Sequence, residues 1–167
     1  FDQPNVQGAK DMTDRVLGQY QTSGKLPRSE ARGSFEKLLT DVGRSDYLAI
    51  MAYVRQTPEA DRALSALRRT AIEKHGIATT LGYGPRFLHS TGQLHKGGPA
   101  SGLFLQLTAD HAENLAIPDK PYSFGTLADA QALGDLEALR EAGRRVARVH
   151  LDTGDEAGIL RLADEMA

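Results

Sequence analysis

The chain has no cysteine among its 167 residues, so disulfide bonds and thiolate chemistry are excluded. It also lacks any apolar run near the roughly 20 residues that a membrane-spanning helix needs. Its first residues are neither basic nor apolar enough to form a secretory signal. We therefore expect a soluble protein that stays in the cytoplasm and has no membrane partner.

An excess of positive charge is missing as well. The chain has 20 lysines and arginines against 22 acidic residues, which gives a net charge of −2. This balance gives no reason to expect nucleic acid as a partner. With 40% hydrophobic and 25% charged residues, the composition is that of an ordinary globular protein. Any cationic binding site must therefore be local.

The hydrophobic pattern predicts strands that alternate with helices. The segment 46–54 is almost continuously apolar, which is typical of a parallel strand covered on both faces. Predicted strands cover 46–54, 77–81, 102–108 and 145–151, and predicted helices cover 4–21, 34–42, 58–75, 155–166 and a segment from a cap at Ser123 or Thr126 to about 142. This order predicts an α/β fold, a three-layer sandwich with a parallel sheet. We divide the chain into a helical segment, 1–45, and an α/β domain, 46–167.

The loop from Gly82 to Pro99 is the densest run of glycine, cationic and other polar residues in the chain. It leaves the carboxyl end of a predicted strand, which is where parallel sheets bind their ligands. Backbone amides, hydroxyls and cations together suit an anionic ligand with many hydroxyl groups. The loop is therefore the predicted binding site.

Several side chains of this loop are candidates for chemistry. Imidazoles transfer protons near neutral pH, hydroxyls and amides bind sugar hydroxyls, and cations bind phosphate. These candidates are His89, His95, Ser90, Thr91, Gln93, Arg86 and Lys96. Alternatively, Ser90 caps a short helix, the histidines bond buried carbonyls, and the cations are ordinary surface charges. A zinc site is disfavoured because no third ligand stands nearby in the sequence.

The first ten residues resemble a family motif. Phe1-Asp2-Gln3-Pro4, followed by Val6 and Lys10, is similar to the motif Phe-Asp-Gln-x-Gly-Val-Glu-x-x-Lys near the carboxyl terminus of glucose-6-phosphate isomerases. Two positions differ, with Asn5 for the glycine and Gln7 for the glutamate. The resemblance implies that Lys10 belongs to an active site and that Gln3 binds substrate.

The rest of the chain resembles the end of the bacterial fused transaldolase/glucose-6-phosphate isomerases. The segments that carry this likeness are 82–99, 104–108, 122–125 and 130–135. The resemblance implies a sugar isomerase (SIS) domain of flavodoxin-like topology, with a transaldolase barrel and a first SIS domain upstream on the same polypeptide. It also implies interconversion of glucose 6-phosphate and fructose 6-phosphate without a cofactor or metal. Lys10 and His89 would then be catalytic, and Gln3, Arg86, Ser90, Thr91, Gln93, His95 and Lys96 would bind the substrate.

One departure affects the implied mechanism. Isomerases of this family use a glutamate as the base, and the corresponding stretch here, Gly82 to Pro85, has no carboxylate. We therefore expect little or no isomerase activity from residues 1–167 alone, since proton transfer needs a base within reach. His111 falls near the place of the family's ring-opening histidine. The alternative is a non-catalytic sugar-phosphate-sensing or assembly module with the same fold.

Overall fold

The computed structural model describes residues 4–27, 35–151 and 156–166. Its sheet has four parallel strands in the order β2-β1-β3-β4. The strands are β1 (Tyr47–Tyr53), β2 (Ala78–Tyr83), β3 (Gly102–Ala109) and β4 (Arg145–Leu151). The helices are α1 (Pro4–Ser23), α2 (Phe35–Leu38), α3 (Pro58–His75), α4 (Ser90–Gly97), α5 (Phe124–Glu141) and α6 (Glu156–Glu165), with one 3-10 turn at Arg86–Leu88.

Helices cover both faces of this sheet, so the predicted three-layer α/β sandwich is confirmed. Helices α3 and α6 pack on one face, while α5 and α4 pack on the other, with α1 lying against α5. The strand order reverses between β1 and β3, as in flavodoxin-like sheets. The carboxyl ends of these two strands are therefore the natural place for a ligand.

The two faces of the sheet differ in polarity because successive side chains of a strand point to opposite sides. The face toward α3 and α6 is apolar, with Leu48, Ile50 and Leu105 fully buried there. On the other face, buried Gln106 donates a hydrogen bond from Nε2 to the Ala132 carbonyl of α5, at 2.9 Å. The sheet therefore buries a polar side chain on the face that α5 covers.

Helix boundaries follow the predicted capping residues. Thr57 accepts a hydrogen bond from the Ala60 amide, and Gly76 ends α3 in the left-handed conformation. Ser123, rather than Thr126, caps α5, because its hydroxyl accepts from the Thr126 amide. The predicted cap Ser34 lies outside the described residues.

Several elements differ from the predicted bounds by a few residues, and α2 and β2 are the two whose differences bear on the fold and the loop. Helix α2 stops at Leu38 instead of 42, because the Leu39 and Thr40 amides bond carbonyls only three residues back and tighten the last turn. Strand β2 runs to Tyr83 instead of 81, because it continues its pairing with β1 to Ala52. The binding loop therefore begins two residues later than the sequence predicts.

Helix α1 lies so close to α5 that one glycine is required at the crossing. A Cβ added to Gly134 would lie 2.7 Å from the Thr13 backbone nitrogen and 2.6 Å from Thr13 Oγ1. Val16 and Leu17 of α1 pack with Leu133 beside this crossing. Segment 1–45 thus contributes α1 to the same layer as α5.

Replacing Gly134 tests this close approach. Gly134→Ala should lower the free energy of unfolding by about 2 kcal/mol, since the methyl group meets backbone that cannot move aside easily. Gly18→Ala, on the same helix pair but with open space around its Cβ position, should instead raise it by up to about 1 kcal/mol. Urea unfolding monitored by circular dichroism measures both. Equal effects of the two substitutions would contradict the packing described here.

Candidate functional site

The predicted binding loop is folded around one buried aromatic side chain. Phe87, in the 3-10 turn, is buried and packs edge-on against Tyr53 of β1, with ring centroids 5.2 Å apart. Helix α4 begins three residues later, at Ser90. The residues around Phe87 line two different concave surfaces.

The first surface, which we call the α1 cleft, brings together the two predicted catalytic residues. Lys10 of α1 and His89, just before α4, are both exposed and both line a cleft of about 340 Å³. The floor includes Ala9, Leu17 and Leu127. Two residues from opposite halves of the sequence are thereby placed in one site.

The α1 cleft also contains polar side chains that the sequence reasoning did not select. Asp14, Tyr122 and Gln131 line it. Asp14 stands four residues after Lys10, a spacing that puts both on one face of a helix. This spacing is the signal that could have found it. The cleft thus has a carboxylate of its own, although 82–85 has none.

The second surface, the β2 pocket, contains three of the predicted substrate-binding residues. Arg86, Thr91 and His95 line a pocket of about 450 Å³ beside the edge strand β2. Gln56 and Asp61 line it as well. None of these five residues lines the α1 cleft. The structure therefore divides the single predicted site into two.

His95 is a buried residue of this pocket. Its ring lies against Phe104, with centroids 4.9 Å apart, and its Nδ1 has no hydrogen-bond partner among the described residues. Burial, helped by the neighbouring Lys96 ammonium, lowers the pKa of His95 to about 4. The imidazole is therefore uncharged at neutral pH and offers no cation to a phosphate.

Lys96 does not face a ligand site. Its ammonium forms an ion pair with Asp135 of α5, and the two side chains are only 2% and 0% exposed. Burial raises the pKa of Asp135, and the adjacent ammonium opposes that shift. The predicted substrate-binding role of Lys96 is therefore wrong, because its ammonium is paired with the Asp135 carboxylate in the protein interior.

Gln93 and Ser90 also lie outside both surfaces. Gln93 Oε1 accepts a hydrogen bond from the Asn5 amide at 3.0 Å, and so satisfies one of the free amides at the start of α1. Ser90 is exposed at the first position of α4 and makes no capping hydrogen bond, so its interpretation as a cap is wrong. Gln3, the remaining predicted residue, lies outside the described residues.

His111 lines a third concave surface of about 330 Å³, where β1 and β3 end. Its Nε2 is 3.0 Å from Asp129 Oδ1. Arg55 and Glu113 line the same surface. His111 therefore does not lie in the α1 cleft. Within 4–27, 35–151 and 156–166, no three histidine or acidic side chains are arranged to hold a metal ion.

Comparisons with known proteins give the fold. No family model matches the chain, and no curated protein matches it. A solved structure of a hypothetical protein from Thermus thermophilus is similar, with a TM-score of 0.64 and 19% sequence identity; the match covers 99% of this chain and 43% of that one. The chain thus spans less than half of that protein's length. No helix among the described residues is long and apolar enough to cross a membrane.

Breaking the buried ion pair tests the structural role of Lys96. Lys96→Met leaves the Asp135 carboxylate buried without its partner and should cost about 3–5 kcal/mol of unfolding free energy. The double variant Lys96→Met/Asp135→Leu should recover most of that loss, since no charge is then buried. Lys74→Met, at an exposed position of α3, is the matched control. A Lys96→Met protein as stable as wild type in urea unfolding would contradict the pairing.

The lowered pKa of His95 predicts acid sensitivity. In the unfolded chain His95 is protonated below its ordinary pKa of 6.5, whereas in the folded chain it stays neutral down to about pH 4. The unfolded state therefore binds more protons between these values, and the free energy of unfolding falls as the pH falls from 6.5 to 4. The loss attributable to His95 approaches about 3 kcal/mol at pH 4. Urea unfolding at several pH values should show a flatter profile for His95→Gln than for wild type. If the free energy of unfolding of His95→Gln depends on pH as that of wild type does, the acid sensitivity does not come from His95.

Proposed function

We propose that this chain is the sugar-phosphate-binding domain of an aldose-ketose isomerase that interconverts glucose 6-phosphate and fructose 6-phosphate. The observation that carries the proposal is that Lys10 and His89 both line the α1 cleft. The family resemblance implies a catalytic role for both, and they stand far apart in the sequence. Their shared cleft supports a common role.

The chemistry of the α1 cleft suits such a ligand. A volume of about 340 Å³ lies in the range of small-molecule sites. The Lys10 ammonium supplies a positive charge for an anionic group, and an imidazole such as that of His89 can transfer a proton to or from a ring oxygen. Gln131 and Tyr122 offer partners for sugar hydroxyls. No cofactor enters the proposed reaction.

The proposal includes a larger polypeptide. Moving a proton between C1 and C2 of the sugar through an enediol requires a base at those carbons. We assign that base to an upstream SIS domain, which would follow a transaldolase barrel in the same cytoplasmic protein. Residues 1–167 would then bind the sugar phosphate but not convert it.

Ligand binding tests the proposal directly. Isothermal titration calorimetry should detect glucose 6-phosphate and fructose 6-phosphate binding to the chain. Lys10→Ala and His89→Ala should each weaken binding by about ten-fold or more, because a charged hydrogen bond contributes about 1.5–3 kcal/mol. Lys74→Ala, which removes an exposed lysine from α3, should bind as wild type does. Unchanged affinity in the Lys10→Ala variant would overturn the proposal.

A coupled assay on the same samples measures turnover. Absence of isomerisation by a protein that binds the sugar phosphate is the expected result, since the proposed base lies elsewhere. Turnover that disappears in Asp14→Asn would contradict this expectation and identify the Asp14 carboxylate as the base. Asp11→Asn, one turn away and outside the cleft lining, is the matched control.

A further inference from the structure

The β2 pocket is a built cavity for which the proposed function has no use. It shares no lining residue with the α1 cleft, although the same loop borders both. Its volume, about 450 Å³, is the larger of the two. A second ligand of monosaccharide size can therefore be accommodated without displacing one in the α1 cleft.

The pocket is open because of its place at the edge of the sheet. Strand β2 pairs with β1 on one side and is the terminal strand of the described sheet. Gly82 in that strand has no side chain, and a Cβ there would lie 3.1 Å from Phe87 Cδ1. Exposed Thr80 lies two residues earlier on the same strand. Gly82 therefore leaves room for the Phe87 ring, and Thr80 provides a hydroxyl on the β2 side of the pocket.

Two hydrogen bonds hold the polar groups at the rim. Arg86 Nη2 donates to Gln56 Oε1 at 3.2 Å, and this uses only one of the five N–H groups of the guanidinium. The Tyr83 hydroxyl donates to Asp61 Oδ1 at 2.7 Å. Arg86 is thereby placed to bind an anionic group. The second oxygen of Asp61 is left to accept a hydroxyl hydrogen.

Helix α4 supplies two further residues to the lining. Thr91 and His95 are four residues apart, so they lie on the same face of the helix, and both line the pocket. The Thr91 side chain is exposed, while His95 is buried with its Nδ1 unpartnered among the described residues. Because the pKa of His95 is lowered, its ring is uncharged at neutral pH and offers one donor and one acceptor, which suits a hydroxyl. One cation, one carboxylate and two neutral side chains favour a ligand with one anionic group, which Arg86 binds, and several hydroxyls.

We infer that the β2 pocket is a second binding site, for a small polyhydroxylated anion, in which Arg86 binds the anionic group and Thr91, His95 and Asp61 bind hydroxyls. The inference rests on the proposed function only for the kind of ligand, a monosaccharide phosphate or sugar acid. Its location and its residues are independent of Lys10 and His89.

The test titrates the chain with inorganic phosphate, glucose 6-phosphate and gluconate, and follows the backbone amide signals of Gly82 and Thr91 by NMR. We expect saturable shifts of both signals with a hydroxylated anion, and weaker binding of inorganic phosphate. Arg86→Gln should weaken the binding of the hydroxylated ligand by about ten-fold, and Thr91→Val should weaken it by about three-fold. Arg69→Gln, an exposed arginine of α3 outside the pocket, should leave its affinity unchanged.

The two binding sites can be tested separately. Lys10→Ala should leave the shifts of Gly82 and Thr91 unchanged, while Arg86→Gln should leave the α1 cleft affinity unchanged. Absent shifts at Gly82 and Thr91 with all three probes, or shifts that Arg86→Gln does not weaken, would overturn the inference. If Lys10→Ala abolishes sugar-phosphate binding altogether and Arg86→Gln has no effect on it, the α1 cleft is the binding site. That result would support the proposed function and contradict the second site.

Discussion

The buried ion pair between Lys96 and Asp135 determines where the rest of the candidate site lies. Two charges removed from water cost several kcal/mol unless they meet each other, so α4 can pack in this layer only where its ammonium reaches α5. Arg144 adds a second constraint by donating from Nη2 to the Gly98 carbonyl at 2.7 Å, just beyond the end of α4. Gln93 of α4 adds a third constraint, because its Oε1 accepts a hydrogen bond from the backbone N–H of Asn5 in α1. Helix α4 is thus held to three parts of the chain.

The asymmetry of the sheet explains why such polar contacts are tolerated. The face toward α3 and α6 is filled by aliphatic side chains such as Leu64, Leu67 and Ile159, and it supplies hydrophobic burial without polar cost. The opposite face contains Gln106, Asp135 and Lys96, whose burial must be offset by bonds within the layer. Both candidate binding surfaces border this polar layer. The apolar half stabilises the fold, and the polar half positions the groups that can bind a ligand.

Local sequence signals were enough to predict the elements of this fold. Thr57, Pro58 and Gly76 delimit α3 by interactions within a few residues, and the apolar run of β1 requires cover on both faces. The division of the predicted site into the α1 cleft and the β2 pocket depends on contacts between residues far apart in the sequence, such as Lys96 and Asp135. A single sequence does not show which distant residues pair. Lys10 and Lys96 are alike as residues, yet one is exposed and the other is paired in the interior. A signal did exist, because Asp135 stands in the apolar stripe of α5 next to Leu136, where a carboxylate needs a buried cation.

The fixed position of α4 determines the placement of side chains in both the α1 cleft and the β2 pocket. His89 immediately precedes the helix and faces the α1 cleft, whereas Thr91 and His95 are on the helix and face the β2 pocket. Because α4 is held by Asp135, by Arg144 and by α1, the backbone positions of these groups are set when the chain folds. The entropy of ordering them is lost during folding rather than during binding, which favours tighter binding for a given set of contacts. A buried pair that contributes little net stability can therefore still contribute to affinity, by placing histidine and threonine side chains that it does not itself touch.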